Sequence, residues 1–192
     1  VSSQLDMDRL DSYKRDCFFT GVQEGMVGAE RIIKMLNVVD DELVVEEKGI
    51  YSIENFINAR RIMYWQVYLH KISICSEKML IELIKRVKIC WNKNKSVSAT
   101  PALSLFIRNN FSARDLNKNP KLLQAFMDLD DNDIWGSIKY WLDHEDPVIN
   151  ILSHALKDRR LFKIDILKKP LKPPQLTAIK KKVAKKLKLS LE

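Results

Sequence analysis

Between Ser52 and Cys90 the chain contains neither proline nor glycine, and apolar residues recur at spacings of three and four. That period lines one face of an α-helix, and nothing in the stretch interrupts it. A break near Ile72-Ser73 would divide it into two helices. With only five glycines in 192 residues, and prolines that fall outside the strongly periodic segments, the rest of the chain follows the same rule. The expected class is mainly α, a bundle of several helices.

The remaining elements are read around that centre. Met7 to Phe19 is helical and stops near Thr20-Gly21, where glycine can close a helix. Gly28 to Leu36 reads as a short helix. The segment N-V-V-D-D-E-L-V-V places two β-branched patches around an acidic turn and predicts a hairpin near 38–45. Asn92 to Ser98 reads as a polar loop. Thr100-Pro101 opens a helix to about Phe111, with proline in the first turn. After a loop at Asn117–Pro120, helices are expected over Pro120–Leu129, Asp130–His144 and Pro147–Leu156. Leu161 to Leu167 alternates like a strand. K-K-P-L-K-P-P is an extended linker, and Gln175 to Leu189 is a lysine-rich helix. Two parts follow: residues 1–160, a helical body, and residues 161–192, a basic strand–linker–helix extension.

Charge separates the same two parts. Ten lysines against two acids between Lys163 and Glu192 account for the whole net charge of +8, and the first 162 residues are balanced. The basic pI therefore belongs to the extension and not to the body. The extension helix carries Ile179, Val183 and Leu187 in one stripe. It reads first as a helix packing that stripe with its lysines in water, and second as a nucleic-acid contact. No apolar run reaches the roughly 18 residues of a membrane span, so no membrane partner is expected. Cys17, Cys75 and Cys90 are odd in number and lack a C-x-x-C spacing. They read as reduced core thiols, which places the protein in the cytoplasm.

Two stretches carry chemistry. In D-M-D-R-L-D-S-Y-K-R-D, Asp8, Ser12 and Asp16 recur every four residues, flanked by Arg9 and Arg15. Stacked carboxylates need a cation or arginines opposite them, or else open solvent. In N-A-R-R-I-M-Y-W-Q-V-Y-L-H-K, Arg60, Tyr64 and Tyr68 fall at i, i+4 and i+8, with His70 and Lys71 nearby. One guanidinium and two phenols suit a ligand with a phosphate at one end and a ring at the other. The same tyrosines could equally be half-buried packing residues.

Taken together, Q-L-D-M-D-R-L-D-x-x-x-R-D-x-F-F-T-G-V, V-V-E-E-K-G and N-A-R-x-x-M-Y-W-Q-V-Y-x-H-K resemble the HD-superfamily phosphohydrolases. The branch resembled is that of the bacterial relatives of the deoxynucleoside triphosphate triphosphohydrolases. L-D-D-N-D-I-W and K-D-R-R-L-F-K add to the likeness. The resemblance implies an HD-domain-like bundle, here incomplete, and a reaction that converts a dNTP to deoxynucleoside and triphosphate. It implies a divalent metal such as Mg²⁺ or Mn²⁺, held by a His, a His-Asp pair and a final Asp, with Asp8 as that last ligand. It also implies substrate contacts at Arg9, Asp16, Arg60, Tyr64 and Tyr68, an effector or phosphate contact at His70 and Lys71, and a homodimer or tetramer.

The likeness is incomplete. His70, His144 and His154 all follow Asp8 and none precedes an aspartate, so the upstream metal ligands are missing. The chain is expected to be a piece of a longer phosphohydrolase, binding no metal and inactive alone. The alternative is a catalytically dead helical module that binds nucleotide or a protein. Ser12 stands where the family usually has tyrosine. Tyr13 is one place on, which is about 100° around a helix, and is not expected to substitute for it.

Overall fold

The computed structural model describes residues 5–93, 97–167 and 169–188. The chain divides into two compact units, Val1–Phe162 and Lys163–Glu192. The first unit opens with α1 (Met7–Thr20), α2 (Ala29–Lys34), a hairpin of β1 (Leu36–Val39) and β2 (Glu42–Val45), and α3 (Ile50–Met63). It continues through a π-helical turn (Tyr64–Tyr68) into α4 (Lys71–Asn92). The helices α5 (Pro101–Arg108), α6 (Ala113–Lys118), α7 (Pro120–Met127), α8 (Asp131–Tyr140) and α9 (Pro147–Lys157) follow. The second unit holds α10 (Pro173–Leu187).

Local chemistry sets the ends of α1. The Asp6 carboxylate accepts the Arg9 amide at 2.8 Å and so caps the first turn. Gly21 closes the last turn at φ 73°, its amide on the Cys17 carbonyl at 2.9 Å. The hairpin pairs Leu36 with Val45 and Val39 with Glu42. Its turn residues Asp40 and Asp41 both have positive φ, 51° and 63°. This is the backbone twist that a two-residue hairpin needs, and aspartate tolerates it better than most side chains.

The interior has two regions. Near α1, Leu10, Tyr13, Ile32 and Phe56 form one buried cluster, with Ile53, Val27 and Tyr68 against it. Farther along, α4 buries Cys75, Met79, Leu83, Val87 and Cys90 on one stripe. That stripe packs on α9, which buries Ile149, Leu152, Ala155 and Leu156. Trp141 is buried beside them, and its indole N–H donates to the Ser98 carbonyl at 2.6 Å. The three cysteines are buried free thiols.

A sulfur contact joins α1 to α3. Cys17 Sγ lies 3.6 Å from Met63 Sδ, and Gly25 passes directly against both. A Cβ at Gly25 would come within 2.7 Å of Cys17 Sγ and 2.8 Å of Met63 Cγ. Met63 is fully buried, and a close-packed interior leaves its side chain little room to give way. Gly25→Ala is therefore expected to cost about 1–3 kcal/mol by overpacking, read as a lower midpoint in denaturant unfolding.

Several expectations need correction. The long helical stretch breaks at Leu69-His70, not at Ile72-Ser73, because His70 Nδ1 accepts the Ile72 amide (3.4 Å) and starts a new helix there. A sixth helix, α6, was not expected; a capping box between Ser112 and Asp115 starts it. Leu161–Leu167 forms no strand. Alternation alone cannot make one without a neighbouring strand to pair with. The expected polar loop at Asn92–Ser98 falls partly on residues 94–96, outside the described residues.

Candidate functional site

The four aspartates of α1 and its cap have four different fates. Asp6 caps the helix. Asp11 pairs with Arg15 at 2.9 Å, both largely exposed, which is worth only a few tenths of a kcal/mol. Asp8 is exposed. Asp16 is half-buried and accepts the Tyr68 hydroxyl at 2.5 Å. Asp8, Ser12 and Asp16 recur along α1 as expected, but the stripe drifts round the helix. Each four-residue step overshoots a full turn by about 40°, so Asp16 ends about 80° round from Asp8. Ser12 turns its hydroxyl back onto the Asp8 carbonyl instead.

The inward face of α1 carries Arg9, Tyr13 and Asp16, spaced i, i+4 and i+7. Tyr13 is buried at 4% exposure. Its ring packs against Phe56, with centroids 5.5 Å apart, and against Tyr68, stacked at 6.4 Å. In the sequence Tyr13 was weighed only as a stand-in for the tyrosine missing at Ser12, and was set aside. The signal available was its place on the stripe shared with Arg9 and Asp16.

Opposite lies the Arg60–Tyr64–Tyr68 face, and here the expected grouping does form. The Arg60 guanidinium sits over the Tyr64 ring at 5.9 Å, and the Tyr64 and Tyr68 rings meet edge to face at 5.3 Å. The π turn explains why this i, i+4, i+8 set holds together. The Leu69 amide bonds to the Tyr64 carbonyl five residues back, at 2.8 Å. In that wider turn the fourth residue falls short of a full revolution and undoes the α-helical overshoot. His70 spends one ring nitrogen on its capping bond, and Lys71 is exposed in the first turn of α4.

The electrostatics keep both inner phenols neutral. Burial, and then the hydrogen bond to the Asp16 carboxylate, push the Tyr68 hydroxyl well above its ordinary value. Burial also raises Tyr13, with Arg60 and Arg9 pulling the other way and Tyr64 and Asp6 reinforcing it. The site therefore offers neutral O–H donors beside guanidinium groups. That set suits oxyanions and sugar hydroxyls.

The residues present do not make a metal centre between them. Among the described residues no three His, Cys, Asp or Glu side chains come close enough to hold an ion. A groove of about 1240 Å³ runs along the other side of α1, past Lys14, Phe18, Met26, Arg31 and Lys34. It does not contain the Asp16–Tyr68 contact. No helix among the described residues is long and apolar enough to cross a membrane.

The family model for the HD associated region matches residues 27–98, which includes the Arg60–Tyr68 face. The crystal structure of a phosphohydrolase from Bacteroides thetaiotaomicron, BT4208, superposes with a TM-score of 0.94 at 46% identity. It covers 100% of this chain and 47% of its own. The chain is a relative of the HD-superfamily phosphohydrolases. YwfO of Bacillus subtilis is 30% identical over 164 residues, 84% of this chain and 35% of that protein. A weaker likeness, 25% over 80 residues, joins this HD relative to the deoxynucleoside triphosphate triphosphohydrolase SAMHD1 homolog of Dictyostelium discoideum. That match spans 42% of this chain and 15% of the amoebal protein. The chain thus spans between a third and a half of the length of YwfO and BT4208.

Proposed function

We propose that this chain is the nucleotide-recognising part of a metal-dependent HD phosphohydrolase acting on deoxynucleoside triphosphates. The observation that carries the reading is the Asp16–Tyr68 hydrogen bond set beside the Arg60–Tyr64 pair. Arg60 and Arg9 supply the fork and charge that a polyphosphate needs, and Tyr64 supplies a π-face. Asp16 and Tyr68, locked to each other, form a polar pair of the kind that reads a deoxyribose hydroxyl. The implied metal fits only as an ion whose other ligands come from outside these residues, with Asp8 as one contributor.

Calorimetric titration of the 192-residue chain with a non-hydrolysable deoxynucleoside triphosphate tests the reading. Binding is expected without added metal. Hydrolysis of the natural nucleotide with Mg²⁺ or Mn²⁺ is expected to be negligible for this chain alone. Absence of binding would sink the recognition role, and robust turnover by these residues would sink the division of labour.

A further inference from the structure

Tyr13 combines two properties that a core tyrosine rarely shows together. Its side chain is more than nine-tenths buried, at 4% exposure. Yet among the described residues its hydroxyl meets no hydrogen-bonding partner, and it is not sealed from solvent either. Buried phenols normally find a partner, because an unpaired O–H away from water costs free energy. A hydroxyl left open at the edge of a buried ring is available to a ligand.

Its surroundings say which kind. The charged and polar groups that act on this hydroxyl are Arg60, Tyr64, Arg9 and Asp6. Arg9 stands one turn before it on the same side of α1, Arg60 lies over the Tyr64 ring, which meets Tyr68 beside it, and Asp6 is already engaged as the α1 cap. The ring itself packs against Phe56 and Tyr68, so the hydroxyl oxygen is held in place. A rigid neutral donor between two arginines matches a phosphate oxygen, which accepts from all three.

We propose that Tyr13 is a substrate-contacting residue whose hydroxyl donates to a phosphate oxygen of the nucleotide, between Arg9 and Arg60. The proposal rests on the nucleotide reading above and deepens it by naming the group that Tyr13 reads. The same stacking against Tyr68 couples the phosphate contact to the Asp16–Tyr68 pair.

Tyr13→Phe tests this, since it keeps the ring and deletes only the hydroxyl. Binding of inorganic tripolyphosphate, a deoxynucleoside triphosphate and the free deoxynucleoside is measured by calorimetry on wild type, Tyr13→Phe and Arg60→Ala. Tyr13→Phe is expected to weaken both phosphorylated ligands about tenfold, as for a lost hydrogen bond to a charged group, and to leave the nucleoside unchanged. A second readout needs no variant: the ¹³Cζ resonance of labelled Tyr13 is expected to move on adding tripolyphosphate and not on adding nucleoside. Loss of binding in Arg60→Ala with none in Tyr13→Phe, or an unmoved Tyr13 resonance, would overturn the inference and leave the nucleotide reading standing. An equal loss for the nucleoside would also overturn it, since the contact would then be to sugar or base. No binding of any of these ligands to wild type would overturn both.

Discussion

Replacing Asp146 by alanine is expected to be the most destabilising single change in this chain, about 3–5 kcal/mol, because it breaks an ion pair at a buried carboxylate and removes a helix cap with it. Asp146 is 2% exposed. Its carboxylate takes a forked contact from Arg86, with Nε at 3.2 Å from both oxygens and Nη2 at 2.8 Å from Oδ2. The other demands on it are local. Oδ1 accepts the amides of Val148 and Ile149, at 3.1 and 3.2 Å, and so caps α9, while Cys90 Sγ approaches Oδ2 at 3.5 Å. One side chain therefore ties α4 to the start of α9, the two helices that pack most extensively in the body. Asp146→Ala removes the ion pair and the cap together. Chemical denaturation should show the full loss, and Arg86→Met should be milder, because the carboxylate it leaves behind still accepts the Val148 and Ile149 amides and still caps α9.

The same carboxylate makes stability depend on pH. Burial pushes Asp146 up, but the Arg86 fork and the Ile149 amide outweigh it, and the group settles at about 2 against an ordinary 3.8. A depressed carboxyl stabilises the fold above its unfolded value and loses that contribution as pH falls through the folded one. The window is therefore roughly pH 4 down to pH 2, and the loss across it is on the order of 2 kcal/mol. Acid titration of the unfolding free energy should show this slope in wild type and lack it in Asp146→Ala.

Arg60→Ala is expected to have the largest effect on ligand binding. A forked, charge-assisted contact to phosphate contributes about 1.5–3 kcal/mol, so affinity for a deoxynucleoside triphosphate should fall by roughly 10–150-fold. Arg60 also rests on the Tyr64 ring, and its loss frees that ring at the face of the site. The fold should change little, since the buried residues of α3 are Phe56, Ala59 and Met63. A near-normal unfolding midpoint with weakened binding is the expected pair of results. An unchanged affinity would remove Arg60 from the site.

Much of this was legible along the chain because local rules set it. The period of Ser52–Cys90, the glycine after Thr20 and the prolines at 101, 120 and 147 mark helices and their ends through backbone geometry alone. The Arg60–Tyr64–Tyr68 grouping was also visible, since four-residue spacing is a short-range property. The Asp8–Ser12–Asp16 stripe was visible for the same reason, although the drift of an α-helix over two turns leaves Asp8 exposed and turns Asp16 inward.

The amino-acid sequence by itself determined the helical class, the charge split between body and extension, and the residue types gathered at the site. Only the tertiary structure decided which side of α1 faces inward. That choice belongs to Phe56 and Tyr68, distant in sequence, whose rings pack against Tyr13, and to the Tyr68 hydroxyl, which donates to Asp16. It likewise decided that Asp146 would be buried against Arg86 sixty residues away. Burial and pairing across such separations depend on how helices pack, and no window of neighbouring residues contains that information.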